Sequence, residues 1–503
     1  MSTRRHILLI NPTITSRRSA RFPLAVMSLA GALDGRYSTS IIDGNIDRDF
    51  IATTVRKITE EWVDAVGITV MGGPQLPTAI AVSSVIRERF PSVPIIWGGY
   101  YPTICATPSI TSPYVDYVVR GQGEETLAEL LEAICAGQRH ELSAITGLTW
   151  KREDEVMHNQ DRPFSAARLA TMLPFDKLDN PTQYLSRTYL GRRTAGYQAA
   201  FGCRFRCTFC GVARMFNGKT ALPSDARLQQ DLRFLKQQLG VDAIQFYDHN
   251  FFDREVDMVP LLEILAKYQL PWWCFARSDA LLNLSERSWG LVGKSRLRMA
   301  YIGAESPSDW LLHDIRKGTR RDQTLEVVER CRSQGVIPEL SFMLAPPQDP
   351  EGETEKTFDF IRRIKRMHPA TEIMLYIYTP LPPGHSTRQV ASRAALDIRG
   401  RDGRPLEFPV TADDWARPEW VDYWCHKDAP WLTEKLRRRI LDFTTVLGCR
   451  FPTVTDIRSP PWAKSTLRAL ASWRYRYQKY HRPWELDLSK KLVRLRDPRA
   501  SSL

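Results

Sequence analysis

Three absences narrow the function of this 503-residue sequence. No apolar run approaches the roughly 20 residues that a membrane-spanning helix requires, and the apolar run before Asn11-Pro12 is too short for the core of a signal peptide. The nine cysteines lack the regular pairing of a secreted disulfide framework, and no recognised nucleic-acid-binding module is present. We therefore expect a cytoplasmic, soluble or peripheral protein, and we do not expect nucleic acid among its partners.

The composition allows large cores and carries excess positive charge. With 43% hydrophobic residues, the chain is long enough to bury the cores of two or three domains. The net charge is +13, and from residue 464 to the end Lys and Arg exceed Asp and Glu by eight. Most of the basic character therefore belongs to the C-terminal end.

A basic amphipathic helix is predicted within this C-terminal stretch. Its apolar positions recur at helical spacing and are interrupted by arginine and lysine. They are Leu467, Leu470, Trp473 and Tyr477. Such a helix can brace a neighbouring domain, contact acidic membrane lipids or an anionic substrate, or bind nucleic acid. The last use lacks a supporting module.

Three cysteines at spacing i, i+4 and i+7 form the most specific motif of the chain. They are Cys203, Cys207 and Cys210. Arg204, Arg206 and Thr208 make this segment too polar for a core strand, so buried structural cysteines explain it poorly. Soft thiolate ligands suit iron-sulfur chemistry. Three of them on one loop can hold three corners of a cubane cluster, which leaves a fourth iron open to an outside ligand.

The first 140 residues alternate strand and helix patterns. Several of the five apolar runs lack the alternation of half-buried strands, as is typical of parallel strands covered on both faces. The runs are His6 to Ile10, Ser38 to Asp43, Asp64 to Val70, Val93 to Trp97 and Tyr114 to Val119. Helical patterns lie at Leu24 to Leu33, Phe50 to Trp62, Leu76 to Phe90 and Glu124 to Ala136. This order predicts an α/β domain over residues 1–145 with a doubly wound parallel sheet, whose ligands bind beyond the carboxyl ends of the strands.

Glycine-rich or polar turns follow these strands at the ligand-binding edge. They are Asn11-Pro12, Asp43-Gly44, Thr69 to Gly73, Gly98-Gly99 and Gly121-Gln122-Gly123-Glu124. Glycines there either let the backbone approach a bulky ligand or simply allow a tight turn, and the spacing alone leaves both explanations open.

The remaining chain divides into a connector, a second α/β domain and a C-terminal region. Residues 146–190 are polar and proline-containing, which predicts a hairpin and a strap that link two domains. Residues 191–392 predict a partial (β/α)6 version of the TIM barrel. Its strands begin near Ala195, Asp242, Trp272, Leu297, Ile337 and Glu372. Residues 393–503 predict a mostly helical, Trp-rich and basic region, which either closes the open side of the barrel over substrate or packs against it.

Candidate binding residues follow the barrel strands, because chemistry in such barrels sits at the carboxyl ends of the strands. The candidates are Asp248, His249 and Asn250, then Arg277, then Glu305 and Ser306, then the run Leu344 to Thr354. In the C-terminal region, Cys425 and His426 lack a paired motif, which favours an incidental role for both.

The cysteine spacing, with Phe209 before the last cysteine, closely resembles the cluster loop of the radical S-adenosylmethionine (SAM) superfamily. The barrel adds Arg277-Ser278-Asp279, Gly303-Ala304-Glu305-Ser306 and Tyr378-Thr379-Pro380-Leu381-Pro382-Pro383-Gly384. The first domain resembles the cobalamin-binding domain of one large branch of that superfamily. It does so at Leu8-Leu9-Ile10-Asn11-Pro12, Gly98-Gly99-Tyr100-Tyr101-Pro102-Thr103 and Val118-Val119-Arg120-Gly121-Gln122-Gly123-Glu124. Over about residues 5 to 390, the chain is thus similar to class B radical SAM methyltransferases.

The resemblance implies three cofactors and their binding residues. Cys203, Cys207 and Cys210 are implied as ligands of a [4Fe-4S] cluster whose open iron is completed by SAM. The residues implied for SAM are Asp248, Asn250, Arg277, Glu305 and Ser306, with Arg277 on its carboxylate and Glu305 on its ribose. The residues implied for cobalamin are Asn11, Thr69, Gly98, Gly99, Tyr101, Thr103, Gly121, Gly123 and Glu124.

Histidine is not expected below the cobalt. The Asp-x-His-x-x-Gly string of the longer-known cobalamin modules is absent, and His6 is the only histidine before His140. Water, no ligand or another side chain is expected at that position.

The implied activity is radical methylation. An electron from a donor such as flavodoxin or ferredoxin enters the cluster and cleaves SAM to a 5′-deoxyadenosyl radical, which abstracts hydrogen from an unactivated carbon of a small-molecule or natural-product substrate. Methylcobalamin then supplies the methyl group, while the protein supplies placement and water exclusion. A cobalamin-dependent radical cyclase or oxidative rearrangement enzyme is the alternative. A non-catalytic iron-sulfur protein is disfavoured, because one cluster does not require two α/β domains.

Overall fold

The computed structural model describes residues 5–165, 172–222, 224–384, 398–457 and 459–493. Within them the chain forms two parallel sheets, one after the other, and a C-terminal helical region. Among the described residues, no helix combines the length and the apolar character that crossing a membrane requires.

The first sheet has seven strands. They are β1 (His6–Asn11), β2 (Ser38–Asp43), β3 (Val63–Thr69), β4 (Ile95–Gly98), β5 (Tyr117–Val119), β6 (Leu148–Arg152) and β7 (Glu155–His158). Their spatial order is β2-β1-β3-β4-β5-β6-β7. Strands β1 to β5 are parallel, and the order 2-1-3-4-5 is that of a doubly wound sheet with its switch point between β1 and β3.

Helices cover this sheet on both faces, which explains its continuous apolar strands. The helices are Leu24–Leu33, Phe50–Glu60, Gln75–Arg89, Tyr100–Ile104, Ala106–Ile110 and Gly123–Cys135. In β1 the four residues Ile7 to Ile10 are all fully buried, because neither face of the strand meets water. The five predicted strands and four predicted helices are confirmed, with boundary shifts of at most three residues.

The hairpin that was predicted as part of the connector instead extends the first sheet. Strand β6 pairs antiparallel with β5, and β7 pairs with β6, so the sheet continues to His158 rather than ending before residue 146. The nearly buried guanidinium of Arg120 fastens this edge, donating to the carbonyl oxygens of Leu148 at 2.7 Å and of Asn159 at 2.5 Å. A hairpin sequence specifies its own turn but not the sheet edge that it joins, so this correction required the structure.

The second sheet is an open barrel of six parallel strands. They are β8 (Thr194–Tyr197), β11 (Ala243–Phe246), β12 (Trp272–Ala276), β13 (Leu297–Glu305), β14 (Ile337–Leu344) and β15 (Glu372–Ile377). They lie side by side in chain order. The intervening short strands β9 (Phe201–Gly202) and β10 (Thr220–Ala221) pair only with each other. The predicted partial barrel is therefore confirmed.

Helices follow the barrel strands and form its outer layer. They are Asp225–Gln237, Glu255–Tyr268, Ser278–Leu282, Glu286–Lys294, Asp309–Asp314, Arg321–Ser333 and Pro350–Met367. The helix Gly211–Phe216 instead lies between β9 and β10 and packs against the first domain. The C-terminal region adds Ala412–Trp415, Pro418–Trp424, Glu434–Arg450, Pro461–Arg476 and Trp484–Val493. Trp431 joins this region to the barrel, since its indole nitrogen donates to the carbonyl oxygen of Ala345, just after β14, at 2.8 Å.

The basic helix near the C-terminus forms as predicted, but its predicted apolar face is not the buried one. Of the four predicted positions only Leu467 is buried, together with Ala463 and Ala471. Leu470, Trp473 and Tyr477 are exposed. Helical spacing identifies an apolar arc but does not show how much of that arc a neighbour covers.

Candidate functional site

The three cysteines lie on the loop that the pair β9–β10 encloses. Cys203 directly follows β9, and the helix Gly211–Phe216 begins after Cys210. Each sulfur faces N–H donors: the amide of Phe205 points at Cys203, and those of Val212 and Ala213 point at Cys210. Arg277 Nη1 lies 3.6 Å from Cys207 Sγ. Donors aimed at sulfur stabilise the negative charge of a cluster and tune its potential.

These thiols need a positive partner to ionise. Burial raises the pKa of Cys203 and raises that of Cys210 to about 12. Within the described residues, no three His, Cys, Asp or Glu side chains converge on one metal ion. A cubane cluster does not require three side chains on one metal ion, because each thiolate binds a different iron. The donor set of three soft thiols with N–H support therefore fits a [4Fe-4S] cluster.

Arg277 follows β12 and connects the cysteine loop to the rest of the barrel. Its guanidinium stacks on the ring of Phe205, with 3.5 Å from Cζ to the ring centroid. It also donates to both carboxylate oxygens of Asp279 at 3.0 Å and to the carbonyl oxygen of Lys317. Only Nη1 points toward the cluster loop, so the predicted carboxylate contact with SAM would use that one nitrogen.

Asp248 anchors the segment that leads into the cysteine loop. Its carboxylate accepts from the amides of Ala199 at 3.0 Å and Ala200 at 2.5 Å. Burial raises the pKa of Asp248 to about 7, against the lowering effect of these hydrogen bonds. This placement makes Asp248 a support of the loop. The ring of the neighbouring His249 lies 5.4 Å from the ring of Phe216.

Several buried polar atoms around the loop have no hydrogen-bond partner within the described part of the chain. They are Asn250 Oδ1, Asp253 Oδ2, Thr208 Oγ1 and Ser278 Oγ. Asn250 Nδ2 donates to Asp253 Oδ1 at 3.0 Å, and Arg204 of the loop lies 3.4 Å from that same oxygen. Buried polar atoms are almost always paired in folded proteins. The unpaired set therefore fits a polar ligand such as SAM beside the cluster.

Glu305 and Ser306 lie where β13 ends in an irregular turn. The pairing register with β14 shifts between Gly303 and Glu305, and Glu305 takes a left-handed φ of 61°. This bulge directs the nearly buried carboxylate to Lys317, whose Nζ donates to Glu305 Oε1 at 2.7 Å. Strain of this kind persists where surrounding contacts enforce it and is common at ligand sites. Ser306 is buried, and its hydroxyl accepts from the amide of Ser308 at 3.0 Å.

The carboxyl edge of the first sheet brings its predicted residues into one row. The strand register pairs Asn11 with Asp43, and Thr69 with Gly98. The side chain of Asn11 donates to Asp43 at 2.9 Å and accepts from Gln75 at 2.9 Å. This network holds the ends of β1 and β2 together.

Gly99 shows why part of this edge is bare. It has a φ of 99°, and a Cβ there would lie 2.9 Å from Thr69 Oγ1. Thr103 supports the next turn, since its hydroxyl donates to the carbonyl oxygen of Gly99 at 2.6 Å and accepts from the amide of Gly121 at 2.9 Å. Met71 lies beside these turns and is 51% exposed. A bare edge with backbone access fits a large ligand such as cobalamin.

Two predicted residues of this edge have partners inside the first domain, and a third packs against the C-terminal region. Glu124 accepts from the hydroxyl of Ser28 at 2.6 Å. A Cβ at Gly123 would lie 3.2 Å from Leu29. Tyr101 is fully buried against Trp424, with ring centroids 5.3 Å apart, and its hydroxyl has no partner among the described residues.

The two sheets meet at their carboxyl ends, through the predicted residue Gly121 and through residues that were not predicted as site residues. The hydroxyl of Tyr100 accepts from the amide of Gly211, directly after Cys210, at 3.1 Å. A Cβ at Gly121 would lie 3.2 Å from the carbonyl oxygen of Met215, in the helix that follows the cysteines. The first-domain edge thus packs against the cysteine loop. Tyr100 follows Gly98-Gly99 directly, and that position is the only sequence signal that could have indicated it.

The C-terminal region covers the same junction. Trp424 Nε1 donates to the carbonyl oxygen of Met71 at 3.1 Å, and a Cβ at Gly72 would collide with its ring. Cys425 Sγ would lie 3.0 Å from a Cβ at Gly73. His426 is half-buried beside Thr379, and its partial burial lowers its pKa to about 4. A tryptophan from the third region therefore closes part of the space between the first two.

Two family models match the chain. The B12 binding domain matches residues 11–131, and the radical SAM superfamily matches residues 197–361. These spans contain the glycine-rich edge of the first sheet and the three cysteines.

Relatives and solved structures agree with this division. An uncharacterized methyltransferase, PH0819 of Pyrococcus horikoshii, is 26% identical over 68% of this chain and 73% of its own. The anaerobic magnesium-protoporphyrin IX monomethyl ester cyclase of Synechocystis is 21% identical over 74% of this chain and 75% of its own. The structure of the radical SAM methyltransferase TsrM from Kitasatospora setae, with cobalamin and a [4Fe-4S] cluster bound, has a TM-score of 0.65 at 16% identity. It covers 97% of this chain and 100% of that one, so the fold is shared across all three regions.

Proposed function

We propose that this chain, which combines a B12-binding domain with a radical SAM domain, methylates an unactivated carbon of a small-molecule substrate. The observation that carries the proposal is the junction at which the glycine-rich edge of the first sheet meets the cysteine loop, through Tyr100 and Gly211. A methyl carrier and a radical source must both reach one substrate atom, and this junction brings their binding edges together.

Each cofactor is assigned its own set of residues. Cys203, Cys207 and Cys210 hold the [4Fe-4S] cluster, and the unpaired Asn250 Oδ1 and Thr208 Oγ1 accept from SAM. The bare edge around Gly98 and Gly99 receives cobalamin. When bound, these groups supply a carbon-centred radical and a transferable methyl group.

The other predicted contacts complete this assignment. For SAM they are Asp248, Arg277, Glu305 and Ser306, and for cobalamin they are Asn11, Thr69, Tyr101, Thr103, Gly121, Gly123 and Glu124. Asp248 acts by holding the loop, and Arg277 uses the single nitrogen that faces Cys207.

The chain's own contribution is placement and exclusion of water. Tyr101, Trp415 and Trp424 form part of an aromatic cluster over the junction, with Trp415 and Trp424 ring centroids 5.5 Å apart. A tight aromatic cover holds the reacting groups in place and keeps out dioxygen and stray hydrogen donors, which would quench a carbon radical.

The proposed partners follow from the chemistry. The cluster requires an electron donor such as flavodoxin or ferredoxin, which places the reaction in the cytoplasm, and the substrate is a small molecule. The basic C-terminal surface contacts either an acidic membrane or an anionic substrate.

A cyclase is the second candidate, because one relative is named as a cyclase. Deuterated-methyl SAM separates the two. The full chain, loaded with cluster and cobalamin and reduced, is incubated with the labelled SAM, and the corrinoid is then extracted for mass spectrometry. Methyl transfer predicts labelled methyl on the corrinoid, whereas an unlabelled corrinoid with continued SAM cleavage would favour the cyclase.

A further inference from the structure

The helix Pro461–Arg476 leaves half of its apolar arc in solvent. Its residues Trp462, Leu470, Trp473 and, at its end, Tyr477 are 68%, 42%, 51% and 62% exposed. At about 100° per residue these four fall within roughly 80° of the helix circumference. The buried Ala463, Leu467 and Ala471 occupy the adjoining arc. The protein therefore covers the small apolar residues of this helix and leaves its aromatic residues uncovered.

Positive charge borders the uncovered arc. Arg476 is exposed and falls about 40° from Trp462 by the same spacing, and its guanidinium lies 5.6 Å from the ring centroid of Tyr477. Lys479, just after the helix, is also exposed. Arg474 is different: it is nearly buried and donates to Glu485 at 2.9 Å, so its charge is neutralised inside the protein. Arg476 and Lys479 are therefore the charges that this surface presents to a partner.

The next helix also leaves large apolar side chains exposed. In Trp484–Val493, Trp484 is 71% exposed and Leu488 is 57% exposed, while Leu486 is buried. In both of these successive helices, the smaller apolar residues pack against the protein and the tryptophans are exposed to solvent. Exposed large apolar side chains at this density mark an interaction surface.

We propose that Trp462, Leu470, Trp473 and Tyr477, with Arg476 and Lys479, form an aromatic-basic face that docks the protein on a membrane containing anionic lipids. Tryptophan and tyrosine rings partition to the level of the lipid headgroups. Arginine and lysine are attracted by the negative surface potential of anionic lipids. A helix with this division of residues lies in the plane of the interface, with its aromatic side inserted. The charge and the ring chemistry of the face thus match one occupant, an anionic lipid surface.

Vesicle flotation tests the proposal with the full chain. Vesicles of phosphatidylcholine with phosphatidylglycerol should carry the protein upward, and vesicles of phosphatidylcholine alone should not. The double variant Trp473→Ser/Tyr477→Ser should lower the vesicle-bound fraction at least about tenfold, because it removes two inserted rings. Arg476→Glu/Lys479→Glu should abolish the preference for phosphatidylglycerol. Added salt should weaken binding of the unaltered protein, since the attraction is partly electrostatic.

The control is Trp62→Ser, because Trp62 is 97% exposed but lies just before β3 in the first domain. It should float like the unaltered chain. The proposal is overturned if the unaltered protein does not float, or if the double variant floats equally well. It is also overturned if solution mass shows a dimer that the double variant dissociates, since a second copy would then cover the face. Flotation requires no turnover, so its failure is distinguishable from failure of the proposed reaction.

Discussion

Arg277 lies beside the cluster loop but is not a cluster ligand, so substituting it tests SAM binding separately from cluster binding. Its Nη1 lies 3.6 Å from Cys207 Sγ while its other donors are held by Asp279 and Lys317. Hydrogen bonds to charged groups are worth about 1.5 to 3 kcal/mol each, so we expect Arg277→Ala to weaken SAM binding about tenfold or more. Calorimetric titration of the reconstituted protein with SAM measures this. Arg254→Ala, at an exposed arginine paired with Asp257, is the control. Unchanged SAM affinity at retained iron content would reject the assignment.

The cysteine ligands allow a direct metal test. Anaerobic reconstitution should load one [4Fe-4S] cluster per chain, and changing Cys203, Cys207 and Cys210 together to Ala should remove it, because no thiolate then remains on the loop. Iron and sulfide analysis measures the content. Cys135→Ala, at a half-buried cysteine of the first domain, should leave the cluster intact. Iron that survives the triple change would show that the cluster lies elsewhere.

For individual residues, the sequence predicts those whose chemistry is specific. Three thiols at fixed spacing have few other uses, whereas Tyr100 and Trp424 resemble any core aromatic until the two domains are folded together. The same applies to Asp248. Its position after β11 was predicted from the barrel pattern, but its hydrogen bonds to the amides of Ala199 and Ala200 depend on how the loop after β8 turns.

Among the elements, the turn between β4 and the helix Tyr100–Ile104 carries a steric constraint at the proposed cobalamin edge. Gly99 has a φ of 99° and would place a Cβ 2.9 Å from Thr69 Oγ1, whereas Gly35 has a φ of 83° with nothing within 4 Å. We expect Gly99→Ala to lower cobalamin retention, because the turn must shift and its backbone can no longer approach the ligand. Gly35→Ala carries similar backbone strain without the crowding and should retain cobalamin. Corrinoid absorbance after gel filtration measures both, and equal retention would contradict the assigned role of this edge.

Strands and helices were predictable where their burial gives the sequence a clear apolar pattern. The runs of β1 and β3 are apolar on both faces, so their type and bounds follow from composition. The hairpin β6–β7 has no such signature for its neighbour, because the pairing with β5 depends on which sheet edge is free. The Pro461–Arg476 helix was predicted from its period, yet its covered side depends on the helix Glu434–Arg450 packed against it.

Across the whole molecule, the first two domains and the C-terminal region share one junction, and Trp424 lies at this junction. Its ring contacts Tyr100 and Tyr101, with centroids 5.9 and 5.3 Å apart, and its Nε1 binds the carbonyl oxygen of Met71. Deleting a packed aromatic ring costs about 3 to 5 kcal/mol when it is fully buried. Trp424 is half-buried, so we expect Trp424→Ala to release cobalamin roughly tenfold faster, a change equivalent to about 1.4 kcal/mol. Corrinoid exchange kinetics measure the rate.

Trp424→Phe keeps a ring but loses the hydrogen bond, so its release rate should fall between those of Trp424→Ala and the unaltered chain. Trp62→Ala, at a tryptophan that is 97% exposed, should not change the rate. A Trp424→Ala rate equal to that of the unaltered chain would separate the C-terminal region from cofactor retention.

The distribution of histidine over the whole chain bears on the cobalt ligand. His6 begins β1, at the amino edge of the first sheet, while the proposed cobalamin edge is the carboxyl one. Its Nε2 lies 3.3 Å from Glu61 Oε2. His158 ends β7 beside Thr149, with 2.8 Å between Nδ1 and Oγ1, on the far side of the sheet from β1 and β3. We therefore expect the cob(II)alamin form of the full chain to show a paramagnetic resonance spectrum without nitrogen splitting from an axial imidazole. His6→Ala should give the same spectrum and the same cobalamin content. Nitrogen superhyperfine lines that vanish in one histidine variant would identify a ligand and would require a loop rearrangement at the carboxyl edge, because neither His6 nor His158 reaches that edge in the fold described here.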